Sequence, residues 1–105
     1  MAERIIVFWR DIPAQVIVRA GRRTARRELS PRFQEAIDRA AMRARLTGTD
    51  AYLAGWRRAS PEPCGDDLES EAERAAAELE AAYPPERLKA LVQNFGLEAK
   101  SRPHE

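Results

Sequence analysis

The stretch IIVFWRDIPAQVIVRAGRRTARREL, residues 5–29, decides the fold. Ile5 to Trp9 is an unbroken run of β-branched and aromatic residues, which reads as a strand over 4–10. Ile5, Val7 and Trp9 then point to one face, Ile6 and Phe8 to the other. Both faces are apolar, so the strand is expected in the middle of a sheet or beneath helices. Asp11-Ile12-Pro13-Ala14 suits a turn, because Pro13 fixes its own φ and pushes Ile12 out of the helical region. Gln15–Ala20 reads as a second strand, with Val16 and Val18 on one face and Ile17 opposite. So short a connection favours an antiparallel hairpin. Gly21 is free to take positive φ and end the strand. Residues 22–29 are ambiguous, and a third, charged edge strand is the preferred reading.

Helical signals follow. Ser30-Pro31 places an N-cap before a first-turn proline, and Phe33, Ile37, Ala40, Ala41 and Ala44 form one apolar stripe. Gly48 is the expected stop. A second helix, capped by Thr49 or Asp50, carries Tyr52, Leu53 and Trp56. Residues 59–67 read as a loop. Asp66 with Glu69 resembles an acidic capping box before Leu68, Ala72, Ala75, Leu79 and Ala82. Pro84-Pro85 breaks that helix, and Pro85 opens another that Gly96 ends. The expected class is α+β: an antiparallel hairpin or three-stranded sheet (4–29), then helices at 31–46, 50–58, 67–83 and 85–95. One domain over 1–96 is expected, with 97–105 as a disordered tail.

At 105 residues the chain has no room for both a core and a large substrate cavity. Charged residues make up 33%. A lone cysteine, Cys64, rules out an internal disulfide and fits a reducing compartment. No apolar run approaches a membrane span, so the expectation is a cytoplasmic protein without a membrane partner. The net charge of +1 conceals an asymmetry: thirteen arginines against six acids in residues 1–58, eleven acids against five basic residues in 59–105. Either the halves face each other, or the first meets an anionic partner.

The only histidine, His104, lies next to the C-terminus. With one Cys beside it, no zinc or iron–sulfur ligand set can come from this chain alone. Glycine-rich phosphate loops, nucleophile elbows and HExxH are absent from the sequence. The carboxylates of the third helix, such as Glu69 and Glu73, read as a solvated face. No catalytic residue, metal or cofactor is assigned.

Three groups are candidates for contact. Arg19, Arg22, Arg23, Arg26, Arg27 and Arg32 suit bidentate capture of carboxylates or phosphates; packing against the acidic half is the competing explanation. Trp9, Arg10, Asp11 and Gln15 frame the hairpin turn, where a local ion pair is the plainer account. Tyr52, Trp56, Arg57 and Arg58 offer an aromatic pair at i, i+4 with two guanidinium groups, more often core than docking site.

WRDIPAQV and GTDAYLAGWRR carry a resemblance to a small bacterial domain family known as "virulence factor", over roughly residues 4–95. The resemblance implies a domain that occurs alone or as a module beside a NifU-like scaffold domain and HEAT-type repeats. It also implies proximity to folate- and corrinoid-dependent methyl-transfer proteins. Both settings imply an accessory role, and neither supplies catalytic residues. The expected function is therefore a non-enzymatic, protein-binding accessory module, and the resemblance points to a metal-cluster or folate/corrinoid methyl-transfer partner. The alternative is a nucleic-acid binder using Arg19–Arg32.

Overall fold

The computed structural model describes residues 1–46, 48 and 50–98. The proposed Thr49 cap, His104 and all but the first two residues of the proposed tail lie outside them. The elements in chain order are β1 (Ala2–Trp9), β2 (Ile12–Ala20), β3 (Arg23–Glu28), α1 (Pro31–Arg43), α2 (Asp50–Ala54), β4 (Trp56–Arg58), β5 (Glu62–Cys64), α3 (Leu68–Ala82) and α4 (Pro85–Gln93). The class is α+β, and residues 22–29 do contain a third strand.

The sheet is wider than the sequence predicts, with five strands. β1 runs through its middle, antiparallel to β2 on one side and to β4 and then β5 on the other. β3 is outermost beside β2. The expected helix over 50–58 stops at Ala54, and Trp56, Arg57 and Arg58 pair with Trp9, Phe8 and Val7. The cause lies in β1. Its second backbone edge is central and needs partners. Gly55 marks the changeover, because the Trp9 indole lies so close that a Cβ there would sit 2.6 Å from Nε1. The expected loop of 59–67 likewise supplies β5, whose Pro63 is tolerated on a short edge strand.

Two helix ends also differ from expectation. α1 ends at Arg43, and Arg45, not Gly48, takes the first left-handed turn, with φ of 60°. α3 is capped by Asp67 rather than Asp66, its carboxylate accepting from the Ser70 amide at 3.2 Å.

A bulge shifts the β1–β2 register between Val7 and Phe8, leaving Ala14 as the extra residue. Bulges sharpen strand twist, and beyond this one the hairpin end is enclosed by helices. Trp9 and Ile12 there join Phe33, Ile37 and Ala40 of α1 and Leu88 and Leu91 of α4 in the main cluster. Val16, Val18 and Ala25 pack beneath Leu68, Ala72 and Ala75 of α3. Ile5, Val7 and Ile17 form a smaller cluster on the opposite sheet face, with Trp56 packed against it. Trp9 thus parts company with Ile5 and Val7, which the simple alternation of the sequence did not anticipate.

Candidate partner-binding surface

β3 leaves β2 through a turn in which Gly21 has φ of 60°. Its register sets the direction of every arginine on it. Ala25 pairs with Val18 and is buried beneath α3, so Arg23 and Arg27 share that face. Thr24, Arg26 and Glu28 face the other way, toward the side of Ile17.

The six arginines fall into two groups. Arg19 pairs with Glu3 at 2.9 Å, Arg27 with Glu69 at 2.6 Å and Arg32 with Glu80 at 3.1 Å. Arg32 stands apart from β3, on α1, and also donates to the Tyr83 carbonyl. Arg22, Arg23 and Arg26 are exposed and have no ion pair among the described residues. The charge asymmetry of the chain is partly spent inside the fold: Arg4–Glu62, Arg27–Glu69 and Arg32–Glu80 join the basic half to the acidic one. Among the described residues, the sheet arginines without an ion pair are Arg23 and Arg26 on β3, with Arg22 in the turn before it, and Arg58 on β4.

The hairpin turn is taken up by internal contacts. The Arg10 amide donates to the Gly55 carbonyl at 2.8 Å, and its guanidinium to the Phe95 carbonyl at 2.7 Å. Asp11 donates its amide to the Gly96 carbonyl at 2.9 Å. Its carboxylate accepts from Arg57 at 3.1 Å and from the Glu98 amide at 2.7 Å. Arg10 holds φ of 53° and Phe95 φ of 65°, two left-handed residues tied to each other. The turn therefore fastens two distant segments, around 52–57 and 95–98, rather than only closing itself. Gln15 belongs elsewhere, in a cleft with Glu28, Gln34 and Trp56. Tyr52 and Trp56 come from a helix and a strand, yet their rings still meet edge to face at 6.4 Å.

One network was invisible in the sequence. Glu80 on α3 accepts from the Ser30 amide at 2.6 Å, the Ser30 hydroxyl at 2.9 Å and Arg32 at 3.1 Å. Ser30 therefore spends its hydroxyl on α3 instead of capping α1. Burial pushes the Glu80 carboxyl up, but the two Ser30 bonds and Arg32 outweigh it and hold it below its usual range. A lowered pKa in the folded state gives stability that is complete above the ordinary glutamate range and is lost as pH falls below it. Glu80→Gln should flatten that part of the acid-unfolding profile, as read from urea midpoints across acid pH. An unchanged profile would contradict the assignment.

Cys64, on β5, has its thiol pKa raised, first by burial and then by Glu71, which makes it a poor nucleophile. Among the described residues no charged or polar side chain is buried, and no three His, Cys, Asp or Glu side chains are grouped to hold a metal. No described helix is long and apolar enough to cross a membrane.

The family model described as "Virulence factor" matches residues 7–92, which run from the last three residues of β1 to the last turn of α4. The chain belongs to the virulence-factor family. The virulence-factor match takes in the end of β1, all of β2, β3 with its arginines, and the Gly55 changeover into β4. Comparison with curated proteins and with solved structures gives no match.

Proposed function

We propose that this chain is a non-enzymatic accessory module that docks a partner protein through the outer strand β3. The observation that carries the reading is the placement of Arg22, Arg23 and Arg26, exposed along one strand edge and without internal carboxylates among the described residues. Guanidinium groups left without an internal carboxylate are available to carboxylates of another protein. Phosphate is the other anion they suit, but three contacts give a nucleic acid only a shallow hold at physiological salt.

The test compares the wild-type chain with Arg22→Glu/Arg23→Glu/Arg26→Glu as bait in lysate of the source cells, at low and moderate salt. A protein retained by the wild type and lost by the triple variant is the expected result. Retention of nucleic acid alone, with a binding constant that falls steeply with salt, would overturn it. All three positions are exposed, so the variant should keep its folding stability, read from urea unfolding, within about 0.5 kcal/mol per site.

A further inference from the structure

We propose that the outer edge of β3 accepts an extended acidic segment of a partner protein as an added strand; this rests on the reading of β3 as the docking surface. β3 pairs with β2 alone among the described residues, so one row of its backbone donors and acceptors faces outward. Six residues of strand offer about 20 Å of pairing length, enough for main-chain bonds to supply affinity while alternate side chains supply selectivity.

The side chains beside that edge specify the pattern the guest must have. On the face away from α3, Arg26 stands between Thr24 and Glu28, with Arg22 just beyond the strand end. Side chains of an added strand on this face meet guanidinium groups, so carboxylates belong there. On the α3 face the edge borders a cleft of about 460 Å³. Ala25 and Leu68, both buried, form its apolar floor, Asp66, Asp67 and Glu69 its acidic rim, and Arg23 and Thr24 its border on β3. Arg27 already answers Glu69. Three carboxylates outnumber the Arg23 guanidinium along this cleft, so an uncharged aliphatic side chain fits this second face better than a carboxylate. The guest is therefore a segment that alternates acidic and aliphatic residues.

A second copy of this chain is a poor guest. Two β3 edges would bring together Arg22, Arg23, Arg26 and Arg27 from each side, with Glu28 as the one acid on either strand. Like charges across a strand pair are destabilising. The same arginines that keep copies apart admit an acidic strand, which is selectivity by repulsion of the wrong partner.

The test measures binding of a capped eight-residue peptide alternating glutamate and valine, by fluorescence anisotropy. Its fully N-methylated counterpart keeps every carboxylate and has no N–H to donate. Loss of two or three backbone hydrogen bonds should weaken binding by roughly tenfold or more. Arg22→Glu/Arg23→Glu/Arg26→Glu should weaken the parent peptide by at least about tenfold. Amide exchange within β3 should slow when the parent peptide binds. Equal affinity for both peptides would overturn strand addition while leaving the arginine docking reading to the bait experiment. Failure of the parent peptide to bind, or a preference for oligothymidylate of equal charge, would also overturn it.

Discussion

Replacing Trp9 by alanine is expected to cost about 3–5 kcal/mol of folding stability, the usual range for removing a fully buried large aromatic side chain. Trp9 is 0% exposed. Its indole N–H donates to the Tyr52 carbonyl at 2.8 Å, and its ring meets that of Tyr52 at 5.7 Å. Gly55 and Gly96 approach it, and the Arg10 guanidinium lies 5.1 Å from the ring centroid. Domains of this size have roughly 5–15 kcal/mol in total, so the variant should sit close to the edge of folding. In urea, where the slope is about 1–3 kcal/mol per molar, the midpoint should fall by more than about 1 M. Trp9→Phe separates packing from the hydrogen bond, because it keeps an aromatic ring and loses the donor; its cost should be smaller, about 1–3 kcal/mol. A Trp9→Ala loss below about 1 kcal/mol would mean that the indole is not what holds the helices to the end of the hairpin.

The second large effect is expected at Gly96. Its φ is 85°, and a Cβ there would lie 2.7 Å from Trp9 Cζ3 and 3.4 Å from the Ala40 Cβ. Two separate costs follow for Gly96→Ala. The left-handed backbone costs an alanine about 1–2 kcal/mol, and the collision with a ring locked in the core adds about 1–3 kcal/mol. The two are separable in a double-mutant cycle with Trp9→Leu. With the indole gone, the collision should vanish and the backbone cost remain, so the pair should be less destabilising than the sum of the singles. Strict additivity would place the Gly96 cost wholly in the backbone and contradict the described contact. Chain beyond Gly96 is held to the hairpin turn by the Glu98 amide on Asp11, so a displaced Gly96 should loosen that junction as well.

The hairpin, the edge position of β3 and the helical stripes were legible because each rests on local information: apolar runs, a short polar break, and i, i+4 spacing. The turn itself is Arg10–Asp11, and Ile12, Pro13 and Ala14, expected in it, belong to β2, where Pro13 pairs with Phe8 beside the bulge. β4 and β5 were not. Trp56-Arg57-Arg58 and Glu62-Pro63-Cys64 carry no strand signal of their own, and they pair only because β1 presents a second central edge. The apolar residues on both faces of Ile5–Trp9 foretold a covered strand, but not which segments would pair with it. At the candidate surface the arginine run stood out in the sequence, whereas its division into paired and unpaired members did not. Arg27 meets Glu69 across 42 positions and Arg32 meets Glu80 across 48, distances at which spacing carries no information. The Asp11 carboxylate was legible as a turn residue, but its hold on Glu98 depends on where α4 ends.

The most direct test of β3 as the docking surface is photocrosslinking in the source cells, with a benzoylphenylalanine at Thr24, exposed in the middle of β3, and a control at Lys89, exposed on α4. The account predicts a protein adduct from position 24 that is absent at position 89 and disappears with Arg22→Glu/Arg23→Glu/Arg26→Glu. An adduct formed equally from position 89, or one at position 24 that survives the triple charge reversal, would contradict it.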